Sequence, residues 1–590
     1  MTELFEPVDA FDRRLARSAT GTLRRFNDEG VLEAADVHVA TQAGRLVGET
    51  DEQVLLATAL TVRAVRHGSV SLDLTTLDDL VAAAPELPWP DPGPWAAAVA
   101  GSRLVEAGVL RWEHDLVYLD RYWHQERHLV DDLAQRLSRP APVVDEASLD
   151  AAAQRVFPAE SYAEQRAAAR QAVTSWTTVL TGGPGTGKTT TVAGLLALLA
   201  EQAARTGTGR LRIALTAPTG KAAARLQESV ARELARIPRA DRERVGTVQA
   251  VTMHRLLGPL RDNGTRFRHH RGNRLPHDVV VVDESSMVSL TMMTRLVEAV
   301  RPEARLVLVG DPDQLASVEA GAVLSDLVAG LAARADSPVF RLATTHRFGA
   351  EIGALADALR IGDADLVLER LRTGGVGVEY VESDDPAAVL QPRLLEAASA
   401  VRRKAEAGDV AGALTALDAH RLLCAHRDGP HGVAHWNRQI EHWLTEVTGD
   451  PLHERMYVGR PLLVTANDYG LGVYNGDAGV VVRTPDGPRA FIDGAQGPVD
   501  FAPSRLADVE TMHATTIHKS QGSQAREVTV LLPPPESRLL TRELFYTAVT
   551  RAQDTVRVVG TEDAVRAAVE RRARRASGLR QRLAADVNDS

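Results

Sequence analysis

One octapeptide restricts the architecture more than any other part of this 590-residue chain: Gly182-Gly183-Pro184-Gly185-Thr186-Gly187-Lys188-Thr189, set between the apolar run TTVLT (177–181) and the helix-forming run TTVAGLLALLA (190–200). Glycines in this pattern let successive backbone N–H groups converge on phosphate oxygens, and the start of the following helix adds partial positive charge. The turn needs a buried strand before it and a helix after it, so it implies a parallel α/β layer. Lys188 is then placed to reach the β and γ phosphates of ATP, Thr189 to bind Mg2+ through its hydroxyl, and Thr190 to complete the nucleotide-binding turn.

Other short apolar runs fit the same layer. Four valines (279–282) end in Asp283-Glu284, at the strand tip where a parallel sheet binds ligands. A carboxylate there can hold Mg2+ and its neighbour can polarise the attacking water, which gives Asp283 to the metal and Glu284 to general base catalysis. The run RLVLVG (305–310) ends in GDPDQL, placing Gln314 where an amide can sense the γ-phosphate. Fast phosphoryl transfer also requires positive charge delivered from a second body, for which Arg347 in TTHRF and Arg551 in FYTAVTRAQ are the candidates.

A second set of such runs, RLLCAH (421–426), VTVLLP (528–533) and TVRVVG (555–560), predicts a second α/β domain in tandem with the first. Between them, residues 462–502 read as short strands separated by turns such as Asn475-Gly476, a small β-barrel inserted in the second domain. Residues 1 to about 135 read mainly as helices, with helical spacing over 54–68 and again over 102–112, a proline-rich loop at 87–95, a short extended LVYLDRYW and a linker at 137–150.

Charge is distributed unevenly. The chain has 68 Lys+Arg against 78 Asp+Glu, a net charge of −10, yet residues 1–150 alone contain 14 Arg, no Lys and 26 acidic residues. The acidity therefore sits in the amino-terminal segment, and the remainder is neutral enough to carry a basic groove. With 44% hydrophobic and 25% charged residues the chain falls in the globular range, which excludes disordered and fibrous classes. Cys424 is the only cysteine, so neither an internal disulfide nor a zinc site built from four cysteines can form. No apolar run reaches the roughly 18 residues of a membrane span, and the acidic start MTELFEPVDAFDRR is unlike a secretory signal; a cytoplasmic chain without a membrane partner is expected.

Further blocks follow in order: Gln165 in YAEQRAA, APTGKAAARL (217–226), TMHRLLG (252–258), VVDESSM (281–287), TTHRF (344–348), NGDAG (475–479), ATTIHKSQGSQ (514–524) and ELFYTAVTRA (543–552). With the phosphate loop they span most of residues 161–560, and their joint order resembles the RecD family of superfamily 1 helicases, the alpha subunit of exodeoxyribonuclease V. The resemblance implies two tandem RecA-like domains with parallel sheets, an inserted SH3-like β-barrel and a mainly helical amino-terminal domain. Its expected limits are 1–140 for the amino-terminal partner-docking domain, 150–340 for the first motor domain, 341–455 with 511–590 for the second, and 456–510 for the insertion.

The same resemblance implies that Gln165 bonds the adenine edge, that Arg347 and Arg551 are the trans-domain fingers, and that Thr219, Lys221, His254, Thr516, His518 and Lys519 line a groove gripping single-stranded DNA. Hydroxyl, imidazole and ammonium donors suit backbone contacts that read no bases, and only 25 aromatic residues leave few stacking platforms, so steeply salt-dependent binding is expected. The implied activity is that of an ATP- and Mg2+-dependent 5′-to-3′ translocase and helicase. It would work in a heterotrimer with RecB-like and RecC-like partners on single strands and duplex ends, with nuclease action residing in the RecB-like partner. The alternative is a stand-alone RecD-like helicase. A structural subunit that binds ATP without turnover is disfavoured by the intact set Lys188, Asp283, Glu284 and Arg551. The amino-terminal module resembles the part of RecD that docks on RecC, and VRAAVERRARRASGLRQR near the carboxyl end reads as an arginine-rich, solvated helix.

Overall fold

The computed structural model of the chain describes residues 4–585 except 10, 261, 262, 333, 335, 345–348, 451, 453–455, 469, 495, 496, 538 and 574. In the amino-terminal part helix Glu52–Arg66 packs between helix Ala34–Val47 and a three-stranded antiparallel sheet, β1 (Ser71–Asp73), β2 (Leu110–Glu113) and β3 (Leu116–Leu119), in the order β1-β3-β2. Asp51 caps the second helix by accepting from the Gln53 N–H at 2.8 Å, which satisfies one of the donors a helix start leaves open. The helical spacing over 102–112 is only partly realised. Gly108 takes φ +71° just after the short helix Arg103–Glu106, a left-handed turn that costs glycine least, and the chain then enters β2. Likewise the DRYW of the expected extended segment is helical, within Asp120–Leu137.

The first large sheet is built from β4 (Thr177–Gly182), β5 (Ile213–Ala217), β6 (Ala250–Thr252), β9 (Val279–Val282), β10 (Arg305–Gly310) and β11 (Val339–Leu342); a hairpin of β7 (Pro259–Leu260) and β8 (Asn263–Phe267) stands outside it. All its pairings are parallel, in the order β11-β4-β10-β9-β5-β6. Uninterrupted valines are explained by burial on both faces. Val280 and Val282 pack with Met293 and Leu296 of helix Leu290–Ala299, while Val279 and Val281 pack with Leu196 and Leu198 of helix Lys188–Arg205. Helix Asp120–Leu137 joins the first of these layers through Leu129, Val130 and Leu133, and Arg136 donates to the carbonyls of Trp176, Arg301 and Ala304.

The second large sheet contains β12 (Val378–Val381) and β13 (His420–Cys424). The chain then leaves it for an antiparallel insertion, β14 (Pro461–Val464), β15 (Ala478–Thr484), β16 (Gly487–Gly494), β17 (Gly497–Phe501) and β18 (Val509–Thr511), in the order β17-β16-β15-β14-β18. It returns as β19 (Ala514–Thr516), β20 (Ala525–Leu531) and β21 (Ala552–Val559), giving the parallel order β12-β21-β20-β13-β19. Two parallel α/β lobes in tandem are therefore observed.

The carboxyl-terminal arginine-rich segment is not one solvated helix. After helix Glu562–Glu570 the described residues up to Gly578 are not helical, and helix Leu579–Ala585 then docks beside Val323–Leu331 and Asp120–Leu137. On the way, the Ala576 carbonyl accepts from the N–H groups of Val70 and Ser71 at 2.8 and 3.2 Å. Arg582, 7% exposed, donates to the fully buried Glu126 and pairs with Glu113 at 2.8 Å. Gly578 is required here, because a Cβ on it would lie 2.2 Å from the Tyr118 hydroxyl. The segment straps the second lobe to the first lobe and to the amino-terminal part. Among the described residues no helix is long and apolar enough to cross a membrane.

Candidate active site and nucleic-acid groove

The phosphate loop has the backbone its sequence demands: Gly185 and Gly187 take φ +84° and +86°, leaving β4 and entering helix Lys188–Arg205. The Lys188 ammonium donates to the Gly182 and Gly183 carbonyls at 2.6 and 2.9 Å, and the Thr186 hydroxyl donates to the Gly183 carbonyl at 2.9 Å. Gln165 is buried beneath the loop, its amide nitrogen donating to the Thr186 carbonyl at 2.9 Å. The Thr190 hydroxyl is directed to Glu233 on helix Gly220–Arg236, at 2.9 Å.

Asp283 and Glu284 follow β9, and the Asp283 N–H donates to the Thr216 carbonyl at 2.9 Å. Burial, and then the neighbouring Glu284, push the Asp283 carboxyl well above the usual carboxylate range, against the pull of Lys188. Glu284 holds φ +51°, a left-handed conformation that costs a non-glycine residue about 1 kcal/mol or more and that clusters at functional sites. Gly310 admits this turn: a Cβ there would lie 3.2 Å from the Ser286 nitrogen.

The Asp311 carboxylate, 2% exposed, gathers donors from both lobes. It accepts from the Asp313 N–H at 3.1 Å, from the Gln314 amide at 3.1 Å and, across the cleft, from the Tyr546 hydroxyl at 3.0 Å. Two further bonds close the same seam. The Leu315 N–H donates to the Thr547 hydroxyl oxygen and the Gln521 amide donates to the Leu315 carbonyl, each at 3.0 Å. Tyr546 also reaches the phosphate loop, since a Cβ on Gly183 would lie 3.2 Å from its oxygen.

Arg551, 5% exposed, follows the same helix, Arg542–Val549; its guanidinium donates to the Thr547 carbonyl at 3.1 Å, and its charge acts on the Tyr546 hydroxyl. Arg347 lies outside the described residues. Reading the sequence assigned no role to Tyr546, Thr547 or Gln521, although all three stand inside the quoted blocks; only the facing lobe shows what they contact.

The six residues expected to line a single-strand groove leave the carboxyl ends of β5, β6 and β19. Thr219 and Thr516 cap their own helical turns, accepting from the N–H groups of Ala222 and Lys519 at 3.2 and 3.3 Å, which leaves each hydroxyl proton available to an outside acceptor. His254 is exposed, its ring 5.9 Å from that of Phe267. His518 is half-buried, and its pKa is pushed down by burial.

The two lobes meet here as well. Arg225 donates to the Gly522 carbonyl, and a Cβ on Gly522 would lie 3.9 Å from that of Ala222. Lys221 is turned onto the insertion, donating to the Gly476 carbonyl at 3.2 Å beside a cavity of about 230 Å³ that Asp418, Asp477 and Asp493 also face. Burial, followed by Arg421 and Arg225, pushes its pKa down to about 8. The Tyr474 ring covers the adjoining Gly220, where a Cβ would come 2.6 Å from Tyr474 Cγ.

Comparison with known proteins matches three stretches to family models: an AAA domain at residues 160–378, a UvrD-like helicase C-terminal domain at 511–559, and the N-terminal domain of RecBCD enzyme subunit RecD at 28–116. The chain is 59% identical over 576 residues to the RecBCD enzyme subunit RecD of Mycobacterium tuberculosis strain H37Rv, covering 97% of this chain and 98% of that one. It is 60% identical over 555 residues to the subunit of the same name in Mycolicibacterium smegmatis, covering 94% and 98%. The ATP-dependent RecD2 DNA helicase of Deinococcus radiodurans is 32% identical over 412 residues, covering 69% of this chain and 50% of that protein. A phosphate loop facing a second lobe, an ordered set of motor motifs and near full-length identity at this level lead to one conclusion: the chain belongs to the RecD family of superfamily 1 helicases.

Proposed function

We propose that the chain is an ATP-driven 5′-to-3′ translocase and helicase on single-stranded DNA. It would act in the cytoplasm as the RecD subunit of a RecBCD-type helicase–nuclease in double-strand-break repair. The observation that carries the reading is the seam itself: the phosphate loop and Asp311 of one lobe are met by Tyr546, Thr547 and Arg551 of the other. Nucleotide bound there touches both lobes, so its binding favours closure and its hydrolysis favours release.

In this reading Lys188 leaves the Gly182 and Gly183 carbonyls for the phosphates, and Gln165, beneath the loop, reads the adenine edge. Glu284 accepts the proton of the attacking water, while Gln314, Arg347 and Arg551 attend the γ-phosphate. Thr189 and Asp283 would hold Mg2+. A carboxyl that burial leaves short of compensating charge fits a divalent cation. When bound, the metal neutralises charge on the β and γ phosphates.

Thr219, His254, Thr516, His518 and Lys519 hold successive backbone phosphates, Lys221 joins them by leaving the Gly476 carbonyl, and alternating closure moves the strand. The match of residues 28–116 to a subunit-specific model supports assembly with RecB-like and RecC-like partners. Matches that cover 98% of the RecD subunits, against 50% of the Deinococcus helicase, favour the subunit over stand-alone action.

The test is ATP turnover by the purified chain with and without oligothymidylate, beside Lys188→Gln, together with unwinding of duplexes tailed at either end. Polynucleotide-stimulated turnover lost in Lys188→Gln, with unwinding from 5′ tails, is expected. Turnover indifferent to polynucleotide refutes the motor, and unwinding from 3′ tails alone refutes the polarity. Weighing the complex purified from cells tests the partners.

A further inference from the structure

Strands β13 and β19 are adjacent and parallel, with Cys424 opposite Thr516, so the loops that follow them leave the same edge of the second sheet. In the first lobe the corresponding pair at the end of the sheet, β5 and β6, sends out Thr219 with Lys221 and then His254, one loop from each strand. In the second lobe only the β19 loop carries proposed DNA ligands. The β13 loop holds Arg427. It is fixed at its base, because the Ile517 N–H donates to the Cys424 carbonyl at 3.0 Å and the Ala434 N–H donates to the Arg427 carbonyl at 2.9 Å.

The side chain faces solvent, with 71% of its surface exposed. Its guanidinium meets Glu510 Oε1 at 3.0 Å, and Lys519 Nζ meets Oε2 of the same carboxylate at 2.8 Å. Two cations are thus forked on one anion, leaving a surplus positive charge at an exposed place. A phosphodiester presents the same pair of oxygens to such a fork. Exposed ion pairs hold weakly, so a polyanion can displace the carboxylate.

We propose that Arg427 and Lys519 together bind one backbone phosphate of the single strand, and that Glu510 occupies the place of that phosphate until the strand arrives. This rests on the single-strand groove proposed above. The experiment is a fluorescence anisotropy titration of labelled oligothymidylate with the full chain across a range of salt, for wild type, Arg427→Ala, Lys519→Ala, Glu510→Gln and Arg427→Ala/Glu510→Gln.

Arg427→Ala is expected to weaken binding at low salt and to flatten the slope of log K against log salt by ~0.7, the share of one single-strand phosphate. Glu510→Gln is expected to tighten binding severalfold, and to do so less when Arg427 is absent. If Lys519→Ala weakens binding while Arg427→Ala and Glu510→Gln match wild type, the shared phosphate is wrong and the groove stands. If Lys519→Ala is also without effect, the groove reading itself falls, and this inference with it.

Discussion

Replacing Tyr546 by Phe removes a single oxygen from the seam between the lobes and leaves the ring in place. That oxygen donates to Asp311 Oδ2 at 3.0 Å, and the carboxylate keeps two other donors, the Asp313 N–H and the Gln314 amide. Asp311 is 2% exposed, so in the closed arrangement water cannot take the vacated place. A hydrogen bond to a charged group contributes about 1.5–3 kcal/mol, and about 1.4 kcal/mol is a factor of ten, so closure should be disfavoured roughly 10- to 100-fold.

Because the bond joins two lobes rather than filling either core, the loss should appear in turnover and not in unfolding. The assay is steady-state ATP hydrolysis at saturating oligothymidylate, with kcat/KM expected to fall by at least about tenfold while the thermal midpoint stays within experimental error. Asp311→Asn and the double variant complete a cycle, in which the two changes should be strongly non-additive. A Tyr546→Phe enzyme within twofold of wild type, or additive effects in the cycle, would show that the seam seen here is not the one closed during turnover.

Two further perturbations test the packing. Arg582→Met strips the fully buried Glu126 of its cation and should cost about 3–5 kcal/mol of stability, with early proteolytic release of the amino-terminal part; denaturant midpoints that do not move would refute the strap. His420 and His513 are both held down to about 3 by burial, below the ordinary histidine value, so the unfolded chain takes up protons first as the medium is acidified. Their stabilising contribution is complete above about pH 6.5 and drains away on descent toward pH 3, at about 2–3 kcal/mol per pH unit for the pair near pH 5. Urea midpoints at pH 7 and pH 5 for wild type and His420→Gln isolate it, since Asp326, raised by burial to about 7, shifts the total the other way in both proteins; the variant should lose about half of the pair's share, and a pH dependence equal to that of wild type would contradict a buried neutral imidazole at 420.

The parts of this protein that were legible in the sequence are those whose cause is local. The phosphate loop needs only its glycines and the strand and helix beside it, and the runs 279–282 and 305–310 announce burial on both faces because no polar residue interrupts them. Where local signals compete, the sequence is ambiguous. Residues 102–112 have helical spacing, yet a left-handed glycine breaks them into a helix and a strand, and the arginines after 570 suggested a solvated helix because their partners lie in another part of the chain.

What only the tertiary structure decided is which groups meet. Tyr546 and Asp311 are 235 residues apart, and Lys221 and Gly476 are 255 apart. Periodicity and motif order describe what each segment can offer along its own length; they hold no information on which distant oxygen a lysine or tyrosine will face. That is settled by the docking of whole lobes, where burial removes water as a partner and leaves each polar group to the one across the seam.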